Sequence, residues 1–553
     1  MTSAAARVLE ADVAIVGAGP VGLVLATDLA QRGCRVVIVE TRHRGEPPSV
    51  KCNHVAARTM ESLRRLGVAD RVRQNGLPDD FPNDVVFRTS VTGTELSRIP
   101  IPGRSTRFSD TSGPDGWWPT AEPPHRINQI FLEPILFEHA AAQPGVTIVN
   151  RCEALTIAQD EGGVVVEARE LDGGAGLRIV ACFLVGCDGG RSLVRKSIEV
   201  PFAGTPVIQN VQSTYIRAPA LLGRVPGQPA WATYAWNPRR CGVCFAIDGR
   251  EKWLVHNHLN PGETFDSVDR DASLRNILGV DVSFEYEILS REDWVGRRLV
   301  AERFRDRRIF IAGDAAHLWI PIAGYGMNAG IADALNLSWR VASAIAGWAG
   351  PAALDAYEIE RQPITDQVSR FAMDHAQQMI RARGLVPPRI EEPGPEGDAI
   401  RAEEGRKNYV LNVQQFCCGG LNFGYFYEHS PVIAYDDEAP PAYSMAGFTP
   451  STVPGCRAPH FFLRDGRSLY DAFGADYTLL RTDSSADPKA LLDAAAAVGM
   501  PMTLLDLDGE NVPAEYRHAL VLCRFDQHVA WRGDVVPADP RALVDLLRGA
   551  RAH

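Results

Sequence analysis

An acid that closes an apolar run and stands just ahead of a stretch of small residues can do chemistry, and Asp314 is such an acid. It ends Ile309-Phe-Ile-Ala-Gly313, which reads as a buried parallel strand, and beyond Pro321 come Gly324, Gly326 and Gly330. A carboxylate at a strand end accepts hydroxyl hydrogens from a sugar or ribityl chain. The small residues from Ala323 on leave backbone N–H groups free. The helix expected over Ile331–Arg340 adds its positive end at the same place, which suits a group that carries negative charge. Glycines mark turns everywhere, so an ordinary strand-turn-helix is the alternative at this point.

Gly17-Ala-Gly19-Pro20-Val-Gly22 follows the strand candidate Ala11–Val16 directly and opens an apolar helix over Leu23–Ala30; the next strand, Arg35–Glu40, ends in an acid. This is a dinucleotide fingerprint in its structural context. Gly17 serves the tight turn, Gly19 the approach of a pyrophosphate, Gly22 the packing of the helix, and Glu40 the ribose hydroxyls. NAD and FAD share that fingerprint. Asp188-Gly189, with Arg191 and Arg195 behind it, ends another apolar strand, Ala181–Gly186. Three strand ends thus deliver a glycine or an acid to one crevice, where a plain NAD dehydrogenase needs only the first.

A chain of 553 residues has room for roughly three domains. Its 45% hydrophobic and 23% charged residues are the composition of a globular enzyme. The net charge of −11 and the lack of any long Lys/Arg run argue against nucleic acid and against an anionic membrane as partner. Met1–Glu10 lacks the apolar run of a signal peptide, and no stretch approaches the roughly 20 apolar residues of a spanning helix, so a cytoplasmic protein is expected. The 11 cysteines, scattered from Cys34 to Cys523, do not read as a disulfide framework. No metal site is expected either: Cys241 and Cys244 fall in a strand, which turns their thiols to opposite faces.

The three motifs, in this order and over nearly the whole chain, resemble the class A flavoprotein monooxygenases. These are the aromatic hydroxylases typified by para-hydroxybenzoate hydroxylase and, for long chains, by phenol and 2-hydroxybiphenyl monooxygenases. The resemblance implies an α/β fold with a Rossmann-like FAD-binding domain (1–80, 121–200 and 291–380) and an antiparallel-sheet substrate domain (81–120 and 201–290). A connecting segment (381–440) and a C-terminal thioredoxin-like α/β domain (441–553) complete it. The implied cofactor is FAD, with NADPH or NADH as electron donor. One atom of O₂ would pass to a small aromatic, phenolic substrate through a flavin C4a-hydroperoxide. Epoxidation, Baeyer–Villiger insertion and drug inactivation on the same fold stay open, as does a flavin-binding protein without turnover.

By position, the resemblance gives Gly17, Gly19, Pro20, Gly22 and Glu40 to the ADP part of FAD. Asp188 and Gly189 would lie near the pyrophosphate and the nicotinamide path, and Gly313 and Asp314 would meet the ribityl chain. Pro321 would lie by the flavin ring. Met327 and Asn328 would face its pyrimidine edge, with Gly324 and Gly326 in the same turn. Many relatives have Gly-Gly where this chain has Ala323-Gly324, and a methyl there would narrow the approach to the flavin. Arg58, in a segment Asn53–Gly67 that reads as a loop entering an amphipathic helix, is a cofactor contact or a solvated helix charge. Gln129, in a helix opened by His125, sits where relatives place a flavin-contacting glutamine.

Some phenol-hydroxylating relatives have an acid where this chain has Arg126 and a histidine where it has Asn53, so the proton-removing base is not evident. Arg126 suggests holding a phenolate or carboxylate instead. His54, His125 and His317 are chemically able to accept a phenolic proton, although structural histidines are commoner. Tyr234 and Trp236 would share a strand face and wall a ring pocket, or pack the core. The runs 84–89, 117–118, 231–236, 241–247 and 252–256 would form the sheet over the flavin, and 384–405 reads as a loop. Strands over 477–480, 502–506, 519–523 and 528–531, with helices over 488–498 and 540–547, give the thioredoxin-like order. That domain is read as structural or as an oligomer contact, with a homodimer as the candidate assembly.

Overall fold

Runs such as Val13-Ala-Ile-Val16 and Val36–Val39 are rich in β-branched residues and buried on both faces, which is the environment of central strands in a parallel sheet. The structure, a computed structural model, describes residues 7–550 apart from the side chain of Ala323. The methyl group at issue in Ala323-Gly324, and the first six residues of the stretch read as lacking a leader, therefore lie outside the described residues.

The first sheet contains β1 (Arg7–Val16), β2 (Val36–Glu40), β5 (Val146–Asn150), β8 (Gly176–Gly186), β14 (Arg305–Asp306) and β15 (Ile309–Ile311), in the order β14-β15-β8-β1-β2-β5. A hairpin of β6 (Cys152–Gln159) and β7 (Val164–Glu170) pairs with β8. Helices Pro20–Gln31, Gln129–Ala141 and Tyr325–Ile345 join its core, and the Pro351–Arg383 helix joins it through Leu354 and Tyr357.

The second sheet contains β3 (Val85–Arg88), β4 (Glu95–Ile99), β9 (Phe202–Arg217), β10 (Ala232–Ala235), β11 (Gly242–Ala246), β12 (Lys252–His258), β13 (Glu287–Ala301) and β16 (His317–Trp319). Their order is β16-β13-β9-β12-β11-β10-β3-β4, antiparallel except for the parallel pair β3–β10. Trp117-Trp118 takes no part in it. Trp118 instead donates its indole N–H to Asp115, and β4, not anticipated from the sequence, forms the sheet edge.

Two further expectations are corrected. Helix begins at Tyr325, six residues before Ile331, because Gly324 turns the chain with φ +61° and Gly330 lies inside the helix as a contact point. A Cβ on Gly330 would fall 2.7 Å from Val21 Cγ2 and 2.9 Å from Gly313 Cα. The loop expected over 384–405 becomes helix from Pro395 to Phe416. Its Gly405 seats the helix on β4, where a Cβ would meet the Leu96 carbonyl oxygen at 2.1 Å.

The third sheet contains β17 (Tyr477–Arg481), β18 (Met502–Asp506), β19 (Leu520–Arg524) and β20 (Val529–Gly533) in the order β18-β17-β19-β20. β17 and β18 are parallel, and β19 and β20 follow antiparallel. Helices Lys489–Ala496 and Pro540–Leu547 pack with it, as the sequence order of elements requires. Among the described residues, no helix is long and apolar enough to cross a membrane.

Candidate active site

Strands β15, β8 and β1 are parallel neighbours whose ends share one edge of the first sheet, and each hands the chain to a turn there. Gly17 has φ +102°, and a Cβ on it would come within 2.4 Å of the Cys187 carbonyl oxygen; a Cβ on Gly22 would stand 2.1 Å from the Gly17 oxygen. The protein's own packing requires both glycines. Gly19 is different: its φ is −75°, and nothing lies within 4 Å of where its Cβ would be. The space it leaves faces a helix start, at Pro20, that carries no side-chain cap, and this suits an anion such as a pyrophosphate.

Glu40 ends β2 beside that loop. One of its oxygens accepts the Ala18 N–H at 2.8 Å and the other the Arg42 N–H at 3.0 Å. Burial pushes its pKa up, but the Arg42 and Ala18 donors outweigh this and hold it below the usual carboxylate range. Asp188 is used by its own turn: it accepts from the Ser192 hydroxyl and from the N–H groups of Leu193 and Val194, at 2.5, 2.6 and 3.1 Å.

Asp314 has no such partner among the described residues. It is open to solvent yet walled by protein, and that enclosure raises its pKa. Beneath it, Asp333 fixes the turn by accepting from the Gly313 N–H at 3.2 Å, His317 Nε2 at 2.6 Å and Arg361 Nε at 2.9 Å.

The Tyr325 helix start is stitched to the loop that carries Asn53 and His54. The Asn328 amide oxygen accepts the Ala56 N–H at 2.8 Å, and its amide nitrogen donates to the carbonyls of His54 and Gly324 at 3.1 and 2.7 Å. That loop, Pro321 and Gly324 wall one side of a cavity of about 130 Å³; Trp231, Tyr234, Phe245 and Phe416 wall the other.

Residues 10–372 match the FAD binding domain family. The chain belongs to the class A flavoprotein monooxygenases. It is 31% identical to the FAD-dependent monooxygenase apdD of Emericella nidulans, over 96% of this chain and 88% of that one. It is 30% identical to the phenol 2-monooxygenase of Pseudomonas sp. strain EST1001, over 98% of this chain and 93% of the relative. Among solved structures, RebC with bound 7-carboxy-K252c is similar with a TM-score of 0.88 and 32% identity, covering 98% of this chain and 100% of that one.

FAD is therefore the cofactor of this flavoprotein monooxygenase, and its residues fit the group. The open space at Gly19, the carboxylate of Asp314, unpartnered among the described residues, and the uncapped start of the Tyr325 helix would suit pyrophosphate, ribityl and flavin ring in turn. Other expected cofactor residues are engaged elsewhere. Arg58 bonds across to Gln527 and Asp526 and faces a separate cavity of about 340 Å³ between the Ala57–Arg65 helix and the C-terminal unit. Gln129 donates its amide to Glu133 at 3.0 Å. Met327 packs against the core of the first sheet, and the Asn328 side chain is spent on the loop, so only their backbone could face a cofactor.

The expected bases fare differently. His54 lines the cavity, but its Nδ1 accepts from Arg126, and burial, with Arg126 beside it, drives its pKa well below the usual value. Its low proton affinity argues against a base. His125 is buried on the Asn75 carbonyl, with its pKa pushed down to about 3 by burial, and His317 is locked to Asp333.

Tyr234 lines the cavity, stacked on Phe87 at 4.8 Å. Trp236 does not: it lies beyond the last residue of β10, where strand alternation no longer holds, and donates its indole N–H to Glu404 in the core. Trp231, Gln209, His258 and Arg383 also line the cavity and went unnoticed as site residues. For Arg383, the last residue of a 33-residue helix, no local pattern could have shown it.

Proposed function

We propose that this monooxygenase hydroxylates an aromatic ring already activated by a hydroxyl or amino group, with the ring bound in the aromatic-walled cavity next to Pro321 and Gly324. The observation that carries this reading is that one cavity is bounded by both the Pro321–Gly324 turn and the aromatic face of the second sheet. When bound, FAD supplies the redox chemistry: reduced by NADH or NADPH, it activates O₂ and gives one oxygen atom to the ring.

The chain's part is to hold and to shelter. Asp314 would accept hydrogen bonds from the ribityl hydroxyls, and the first N–H groups of the Tyr325 helix would face the negative charge of the reduced ring. Trp231, Phe245 and Phe416 would keep water from the reacting ring. Among the described residues no carboxylate lines the cavity, and its histidines His54, His256 and His258 are all held neutral, mainly by burial. The ring would therefore arrive activated by its own substituent.

The test is the purified protein's visible spectrum together with NADH and NADPH oxidation against a panel of phenols, hydroxybenzoates and polycyclic quinols. Ring-stimulated oxidation with an oxygenated product is expected. A flavin-loaded enzyme that oxygenates no hydroxy- or aminoaromatic would refute the reading.

A further inference from the structure

Among the described residues, the substrate cavity is lined by two arginines and no acid. Arg126 is 4% exposed, with its guanidinium 4.3 Å from the Trp231 ring centroid. Its Nη1 donates to His54, while Nη2, fully buried, has no partner among the described residues. The acid that acts most on it, Asp115, is already bonded to Arg107 and to the Trp118 indole.

Arg383 donates to the Gln209 amide oxygen at 2.8 Å and pairs with no carboxylate among the described residues. Burial pushes its pKa down to about 10, offset only by Cys241 and Tyr234. Tyr234 feels both arginines, which lower its pKa against the larger upward push of burial. His258 adds a buried Nδ1 without a partner.

An arginine does not shed its proton at neutral pH, so two positive charges stand at the cavity without a carboxylate to themselves among the described residues. The cofactor does not answer them. Its pyrophosphate and its reduced ring each have an uncapped helix start, at Pro20 and at Tyr325.

We propose that the substrate is an aromatic dianion, one carboxylate held by Arg126 and the other by Arg383, with its ring against the aromatic wall that includes Tyr234. This rests on the reading of this cavity as the substrate site. Guanidinium matches carboxylate in a paired geometry that a neutral substituent cannot use.

Three probes of one ring size test it on the FAD-loaded enzyme: 2,6-naphthalenedicarboxylate, 2-naphthoate and 2-naphthalenemethanol. Binding is read from quenching of tryptophan fluorescence, since Trp231 lies under Arg126, and from perturbation of the flavin absorbance. Each carboxylate is expected to tighten binding by roughly tenfold or more. Arg126→Gln and Arg383→Met should each cost the dicarboxylate about that factor and shift the neutral probe by less than about threefold; the lysine variants should recover part of the loss. Neither change orphans an acid, so both variants should keep their FAD. If a variant folds poorly, the parent enzyme's ranking of the three probes still decides.

Equal binding of the three, or a dicarboxylate no tighter than the monocarboxylate, would overturn the proposal. Arginine-dependent binding of the dianion without oxygenation of any hydroxyaromatic would leave the anion site standing and sink the assigned reaction. Efficient oxygenation of neutral phenols with no preference for carboxylates would do the reverse.

Discussion

Two aspartates at neighbouring strand ends show how differently one residue type is used. Asp188 gives its oxygens to a hydroxyl and two backbone N–H groups of the turn that follows it, whereas Asp314 has no hydrogen-bond partner among the described residues. Asp314→Ala should therefore purify with little FAD, read as the ratio of flavin to protein absorbance, while its secondary structure by circular dichroism is kept. A full flavin complement in that variant would contradict the ribityl assignment. Asp188→Ala removes three turn hydrogen bonds and should lower stability by about 1–3 kcal/mol. His54 and Arg126 teach a related lesson. A histidine whose Nδ1 accepts from a buried arginine is fixed in one neutral tautomer, and its ring offers the cavity an N–H, not a base.

At the scale of elements, the site depends on how closely the Tyr325 helix approaches the Gly313 turn. Gly330 allows that approach, so Gly330→Ala should push the two apart, weaken FAD binding by about tenfold or more and lower the apparent Tm. Flavin fluorescence titration of the apoprotein would check this, and unchanged affinity would remove the packing argument. The strands β1, β8 and β15 and the turns after them were legible in the sequence, because apolar runs ending in glycine or an acid are local signals. The glycines inside helices were not. Gly330 and Gly405 look like loop residues until their contacts, distant in the chain, are known. Trp236 misled for a similar reason: alternation fixes a face only while the strand lasts. Arg383 carries no local mark at all; it enters the site only because a long helix ends there.

At the scale of the whole molecule, the C-terminal unit is tied to the FAD-binding part through buried charge. Glu360 on the Pro351 helix accepts from Arg524 of β19 at 2.6 and 2.9 Å, from Asn336 at 2.7 Å and from Ser430 at 2.6 Å, and it pairs with Arg340. Glu360→Gln leaves the buried Arg340 without its acid and Arg524 with Asp526 alone, and should cost about 3–5 kcal/mol, seen as a lower apparent Tm and as faster proteolysis at the C-terminal unit. Resistance equal to the parent would mean that apolar packing alone holds the unit in place.

Acid should weaken the whole fold in a defined window. Burial pushes His125 and His528 down to about 3, and His256 and His460 to about 4. The unfolded chain takes up those protons near pH 6.5, so it binds more protons than the folded chain below that point. The stability is therefore fully present above about pH 6.5 and drains away as pH falls toward 4, by up to about 2 kcal/mol at pH 5 for a fully buried histidine. Buried acids such as Asp333 and Glu360, held below their ordinary range once the cations around them outweigh burial, lose their contribution only at lower pH. Melting at pH 5.0 should thus occur well below melting at pH 7.5, and a flat profile over that interval would show that these histidines are not held neutral in the folded chain.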